Sequence, residues 1–398
     1  MTHNQYQTSV QDSSQPGSGT ARRRLKVLQV GKFYPPHMGG IETHLQALSG
    51  ELAKQLDLRV IVANDTAEKQ EELMGGVRVS RVPTRLTLAS APLCPAMIGE
   101  IRRSQADIVH LHLPNPMAVL ALLASGHRGR LVITYHSDTV RQRVLGALFE
   151  PFLRTALSRS SAIIATSPEY RRTSTVLAPY LDRCQVIPYG IEITQFEHCD
   201  SQMVQQLRQR YGDRLVISVG RLVYYKGFEY LIQAMKQVRG KLLIIGDGPL
   251  RAKLEELAKS AGVADKVIFA GEIANENTVA YYHASDVFAL ASVARSEAFG
   301  IVQIEAMAAG LPVVNTKLDS GVPFVSLHDK TGLTVPPRDP GALADAINRL
   351  LDDAELRRSL GQAARLRAHQ EFSLETMTTR VMALYDGVMS GNTSVGNR

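Results

Sequence analysis

The feature that most constrains this chain is a pattern that runs twice: a short apolar segment of strand length, often closing on glycine, then a segment of helical periodicity. The first series comprises LKVLQVG (25–31), LRVIVA (58–63), VRVSRV (77–82), DIVHLH (107–112), RLVITYH (130–136), SAIIATS (161–167) and CQVIPYG (184–190). Runs so short and continuously apolar read as strands buried on both faces of a parallel sheet. Segments such as IETHLQALSGELAKQL (41–56) supply the crossover helices that parallel strands need. The second series is RLVISVG (214–220), KLLIIGDG (241–248), KVIFAG (266–271), DVFALAS (286–292), LPVVNT (311–316) and TGLTVP (331–336). The fold class expected is therefore α/β, with two doubly wound domains facing each other across a cleft.

The expected organisation is a polar tail over 1–23, a first domain over 24–190 and a second over 191–375, the junction falling near IPYGIEITQFEHCD (187–200). The closing stretch from about Asp339 to Val388 reads as helices. Its last part, 376–390, is expected to return to the first domain, followed by a tail over 391–398.

Composition removes several classes of protein. Apolar residues make up 44% and charged residues 21% of 398, ordinary globular usage, so wholesale disorder is excluded. No apolar run approaches the ~20 residues of a spanning helix. The opening residues lack an apolar h-region, so no secretory leader is expected. Cys94, Cys184 and Cys199 show no metal-type spacing and read as reduced cytosolic thiols. Residues 1–190 carry 22 Lys and Arg against 14 Asp and Glu, whereas 191–398 carry 23 against 24. The basic half lacks the aromatic interleaving of a nucleic-acid module, which leaves phosphorylated substrates or an anionic membrane surface as its partners.

Ligands of doubly wound sheets bind beyond the carboxyl ends of the strands, and three motifs fall there. In GKFYPPHMGGIETH (31–44), Gly39 and Gly40 precede a helix whose first N–H groups can face a diphosphate or sugar; a plain chain-reversing turn is an equal reading. In GRLVYYKG (220–227), Arg221 and Lys226 can converge on a phosphate pair, although two such cations alone read as solvated. In SEAFGIVQIEAMAAGLPVV (296–314), Glu297 stands in a loop suited to sugar hydroxyls. The amides of Phe299, Gly300 and Ile301 open a helix, and Glu305 lies one turn in, within reach of a ribose.

The last string resembles the EX7E motif of the retaining family 4 glycosyltransferases of GT-B fold. Gly39-Gly40, Arg221 with Lys226, IIGDGP (244–249) and GEI (271–273) match the same pattern in order. The resemblance spans roughly residues 25–390. It implies two Rossmann-like domains, an acceptor-binding first and a nucleotide-sugar-binding second. It implies that Gly39 and Gly40 contact the donor diphosphate, that Arg221 and Lys226 neutralise it as it leaves, and that Glu297 holds the sugar and Glu305 the ribose. It further implies that Phe299, Gly300 and Ile301 offer amides, and that Gly271 to Ile273 touch the base. His136 in TYHSDTVRQ (134–142) matches a histidine that projects into the cleft beside the donor sugar in relatives; a lone histidine is otherwise usually a packed one. The catalytic set implied is His136, Arg221, Lys226 and Glu297.

HSD followed by a basic segment is similar to enzymes of O-antigen, lipopolysaccharide, capsule or exopolysaccharide assembly, several of them mannosyltransferases. The implied partners are a GDP- or UDP-sugar donor and a lipid-linked or oligosaccharide acceptor, with no nucleic acid. His110 and His112 share a strand face and could suggest a metal, but with no third ligand nearby they read as structural or cleft-lining. With no Asp-x-Asp in the chain, no metal and no further cofactor are expected. RQRVLGALFEPFLRTALSR (141–159) mixes arginines with apolar residues, as a helix lying on an anionic membrane does; a helix packed on the sheet and interrupted at Pro151 is the competing reading. The expected location is cytoplasmic, peripheral on the membrane. A nucleotide-sugar 2-epimerase of the same fold and a non-catalytic sugar-nucleotide-binding subunit are the rival functions.

Overall fold

The computed structural model describes residues 23–37, 39–88, 91–137 and 143–391, so the two expected tails lie almost wholly outside the described residues. The first ten strands are β1 Lys26–Val30, β2 Asp57–Ala63, β3 Gln70–Met74, β4 Val77–Val82, β5 Leu86–Leu88, β6 Ala91–Leu93, β7 Ile108–Leu113, β8 Arg130–Tyr135, β9 Ala162–Ala165 and β10 Cys184–Val186. Eight of them form one sheet in the order β10-β9-β8-β7-β1-β2-β4-β3, while β5 and β6 pair as a separate ribbon. All pairings in the large sheet are parallel except β3 with β4. The second sheet contains β11 Leu215–Val219, β12 Lys241–Ile245, β13 Val267–Gly271, β14 Val287–Leu290, β15 Val313–Thr316 and β16 Gly332–Val335, in the order β13-β12-β11-β14-β15-β16.

Both sheets reverse their winding at a defined place, between β1 and β7 in the first and between β11 and β14 in the second. Crevices for ligands open at such reversals, at the carboxyl ends of the strands. The strands are buried almost throughout, as continuous Val and Ile runs require. Helices start where the sequence supplies caps: Asn115, Ser167, Asp339, Asp353 and Ser373 each accept a backbone N–H from the first turn of the helix they precede.

The final helix, Leu374–Ser390, belongs to the first domain by packing. It buries Met377, Val381, Leu384, Tyr385 and Val388 against Leu45, Leu48 and Leu52 of the helix Gly40–Ala53 and against the sheet. Each such side chain contributes about 2 kcal/mol through the apolar area it removes from water. The chain thus crosses between domains twice, and the crossings are paired. Ile191 donates its N–H to Phe372 at 2.9 Å, and Leu374 donates to Ile191 at 2.8 Å. Gly190 must be glycine there, because a Cβ would stand 2.5 Å from the carbonyl oxygen of Ser373.

The helix Arg143–Arg159 continues through Pro151, so the expected interruption does not occur. One missing N–H removes a single hydrogen bond, and the turns on either side hold. Ala156 and Leu157 are buried in the first-domain core with Phe149 and Leu153 packed against it. Leu148 and Phe152 are exposed beside Arg154, which pairs with Glu150.

Candidate active site in the interdomain cleft

The second-domain side of the cleft is built where β11 and β14 end. After Val219 the chain makes a turn over Tyr224–Lys226 and passes through Gly227 at φ 67°. A Cβ at Gly227 would sit 2.1 Å from the carbonyl of Ala291, so only glycine lets this loop lie against the one following β14. Val293 donates to the Tyr225 carbonyl at 2.8 Å and locks the two loops together. The result is a short ion pair: Lys226 Nζ lies 2.6 Å from Glu297 Oε2, both side chains about nine-tenths buried. Ser292 donates its hydroxyl to the same oxygen at 3.1 Å.

Glu305 faces the same space. Its carboxylate accepts a 2.7 Å hydrogen bond from Tyr282. Burial holds its pKa above the ordinary carboxylate range, with the Tyr282 hydrogen bond and the nearby Lys226 charge opposing. One ammonium therefore acts on both glutamates of the motif. Arg221 is exposed at the rim of the same loop. Gly300 adopts φ +75° before the helix Val302–Ala308, and Gln303 fastens that bend by donating to the Phe299 carbonyl at 3.1 Å. Gly271 and Ile273 lie at the end of β13 on the outer edge of this sheet, two strands from β11, and Gly246 donates to the Gly271 carbonyl at 2.7 Å.

On the first-domain side, Gly39 and Gly40 open the helix Gly40–Ala53 as the sequence implied. A Cβ on Gly40 would meet Ile301 at 3.7 Å, so the glycine pair and the donor-side loop face each other directly. Tyr189, just before the domain crossing, sets its ring edge-on to Phe299 at 4.9 Å. Arg295, two residues before Glu297, reaches across to the first domain: it donates to the Thr173 hydroxyl at 3.2 Å and lies over the Tyr170 ring.

His136 is placed differently from the expectation that it projects into the cleft. It is 1% exposed, and both ring nitrogens are engaged, with His112 at 3.0 Å and with the Tyr189 hydroxyl at 2.5 Å. Nor do His110 and His112 stand without a further histidine. His44 from the helix Gly40–Ala53 and His136, just past the end of the neighbouring strand β8, join them, and ring nitrogens of His44, His112 and His136 lie within 4.8 Å of one another. Burial drives all four imidazoles toward the neutral form, His44 and His110 down to about 3. Sequence reasoning quoted His44 within the glycine motif without assigning it, and passed over Ser292, Tyr282, Tyr189 and Arg295.

Two family models match the chain in succession: Glycosyltransferase Family 4 over residues 38–195, and glycosyl transferases group 1 over residues 201–367. The D-rhamnosyltransferase WbpZ of Pseudomonas aeruginosa is 32% identical over 353 residues, which cover 88% of this chain and 92% of that protein. The chain belongs to the group 1 glycosyltransferases. The O-antigen chain mannosyltransferase C of Escherichia coli is 31% identical, over 91% of this glycosyltransferase and 98% of the relative. Among solved structures, a sucrose-phosphate synthase from Thermosynechococcus elongatus superposes with a TM-score of 0.76 at 23% identity, covering 92% of this chain and all of the other. The two Rossmann-like domains are those of the GT-B fold. Among the described residues, no helix of this glycosyltransferase is long and apolar enough to cross a membrane.

Proposed function

We propose that this glycosyltransferase moves a hexose, mannose foremost, from a GDP-sugar to a lipid-linked glycan acceptor with retention of configuration, in the assembly of a cell-surface polysaccharide. The observation that carries the reading is Lys226 set between Glu297 and Glu305 at the second switch point, opposite Gly39 and Gly40. The sugar is supported by the mannosyltransferase relatives. One of them, a GDP-mannose-dependent phosphatidylinositol monomannoside mannosyltransferase of Mycolicibacterium smegmatis, is 32% identical over 91% of this chain.

The chemistry follows from the charges. The bond between the anomeric carbon and the diphosphate oxygen breaks, and Lys226, Arg221 and the amides of Phe299 to Ile301 offset the charge left on that oxygen. The acceptor hydroxyl attacks from the face the diphosphate leaves, and its proton passes to the departing phosphate oxygen. Glu297 orients the sugar hydroxyls, and Glu305 the ribose. Retaining glycosidases place a nucleophilic carboxylate behind the ring; Glu297, held by Lys226 and Ser292, is assigned to the hydroxyls instead. Incubating purified protein with labelled nucleotide sugars, with and without membrane lipid extract, tests the whole reading. Acceptor-dependent transfer supports it. Free nucleotide and epimerised sugar without any acceptor would replace it with the epimerase.

Three results are expected. With cationic side chains and amides serving the leaving group, transfer should persist in excess EDTA; an absolute need for Mn²⁺ or Mg²⁺ would refute that role. Glu305→Gln should raise the Kd for GDP by about tenfold or more, the loss of one charged hydrogen bond to a hydroxyl. Calorimetric affinity equal to wild type would remove the ribose assignment. The exposed Leu148 and Phe152 beside Arg154 suit a membrane-facing helix. Binding to anionic vesicles should be salt-sensitive and weakened by joint replacement of Arg141, Arg143 and Arg154 with serine, each basic residue contributing about 1 kcal/mol. No sedimentation with vesicles at low salt would leave a purely soluble enzyme.

A further inference from the structure

Beneath the cleft floor, buried hydrogen-bonding groups form one uninterrupted chain across the first domain. The Tyr189 hydroxyl meets His136 Nδ1 at 2.5 Å, His136 Nε2 meets His112 Nδ1 at 3.0 Å, and His112 Nε2 meets Gln29 Oε1 at 2.6 Å. Gln29 Nε2 then donates to the Tyr385 hydroxyl at 3.0 Å. Tyr385 meets His110 Nδ1 at 2.7 Å, and His110 Nε2 ends the chain at the Thr134 hydroxyl, also 2.7 Å away. Every member is at most 5% exposed.

Within this chain only Gln29 has a donor and an acceptor that no proton shift exchanges, and its amide is set with Oε1 toward His112 and Nε2 toward Tyr385; neutral imidazoles and hydroxyls serve either way. Its amide therefore imposes a direction on all the others. Gln29 Oε1 can only accept, so His112 carries its proton on Nε2 and leaves Nδ1 bare. The bare Nδ1 takes the proton of His136 Nε2, which leaves His136 Nδ1 to accept from Tyr189. On the other arm, Tyr385 accepts from Gln29 and must donate to His110 Nδ1, so His110 also carries its proton on Nε2. The burial that keeps these imidazoles neutral is what makes the argument hold, since a protonated ring would donate at both ends.

We propose that Gln29 and Tyr385 are positioning residues for glycosyl transfer: through this polarised chain they fix His136 as its Nε2–H tautomer and so hold Tyr189 in place against Phe299 of the donor-side loop. The Tyr189 ring stacks on His136 and stands edge-on to Phe299, two residues past Glu297. Tyr385 lies on the helix that enters from the second domain, so the far anchor of the chain is set by the return crossing. The kinetic part rests on the transfer reading above; the direction of the chain does not.

Histidine-selective ¹⁵N labelling separates the two, because bare and protonated ring nitrogens resonate far apart. In the wild type, His110, His112 and His136 should each show one bare Nδ1 and one protonated Nε2. In Gln29→Leu, His136 should move to averaged shifts although neither of its own partners has changed. GDP-mannose turnover should then fall roughly tenfold or more with KM nearly constant, as for a displaced cleft wall. Gln29→Glu is the sharper variant. A carboxylate accepts from both neighbours, so His112 and His136 should keep their tautomers and near-normal turnover, while Tyr385 turns to donate and His110 alone reverses to Nδ1–H. If Gln29→Leu does not fold, Gln29→Glu and Tyr385→Phe carry the test. An Nδ1–H His136 in the wild type, an unshifted His136 in a folded Gln29→Leu, or an unreversed His110 in Gln29→Glu would overturn the chain. Shifted tautomers with unchanged kcat would overturn the positioning role. Absent turnover in the wild type would overturn the transfer reading, while the spectra still decide the chain.

Discussion

Lys226→Ala should lower sugar transfer by about 10²–10³ while weakening donor binding far less, because the ammonium is needed most when the diphosphate leaves. The structure adds a complication that can be used. Lys226 is the partner of Glu297, so its removal also leaves a nearly buried carboxylate supported only by Ser292 among the contacts described. Glu297→Gln separates the two effects. It keeps an acceptor for the Ser292 hydroxyl, frees Lys226 for the phosphates, and removes the charge beside the reacting sugar. Turnover should fall steeply in that variant with nucleotide affinity equal to wild type or tighter. Melting temperatures measured alongside report any loss of folded protein. Wild-type turnover by Lys226→Ala would end the assignment.

Acidification should destabilise the first domain well before ordinary carboxylate protonation. His44 and His110 are held down to about 3 by burial, and His112 and His136 lie well below their usual value for the same reason. An unfolded chain titrates its histidines near 6.5. Between roughly pH 6.5 and 3 the unfolded state therefore binds more protons than the folded one, and stability falls as the pH falls. At pH 5 His44 and His110 each cost about 2 kcal/mol, together a large part of the stability of a typical domain, and His112 and His136 act in the same direction. Glu305 works in the opposite sense, since its raised pKa lets the folded state take up a proton first, but it is one group and sits in the second domain. Denaturant unfolding at pH 7.5 and at pH 5 measures the difference; equal unfolding free energies would mean that the imidazoles are charged in the folded protein.

The strands of both sheets were legible because burial on two faces writes itself as continuous apolar runs. β3 was not, since Gln70–Met74 is a mostly exposed antiparallel edge with two glutamates and one leucine. Its signal was the Gly75-Gly76 pair, both at positive φ, which is the two-residue turn of a hairpin. The site showed the same split. Glu297, Glu305, Arg221 and Lys226 stand in compact motifs after strands, so their neighbourhood could be read. The Lys226–Glu297 contact could not, because it depends on two loops 71 residues apart in sequence lying backbone against backbone. The histidine chain was hidden for a stronger reason: Gln29 and Tyr385 are 356 residues apart. No periodicity records a contact that only the return of the last helix creates.

That return also sets an order of events during biosynthesis. The first domain leaves the ribosome before the second, but Met377, Val381, Leu384, Tyr385 and Val388, which complete its core, are made only after the second domain. Until they arrive, Leu45, Leu48 and Leu52 of Gly40–Ala53 have the sheet on one side but lack their partners from the returning helix, and open apolar surface of that kind attracts chaperones or other nascent chains. The core of the first domain is thereby completed only once the second domain has been made. The half of the enzyme translated first waits for residues beyond the second to close its core, and a chain cut before Leu374 leaves that core open.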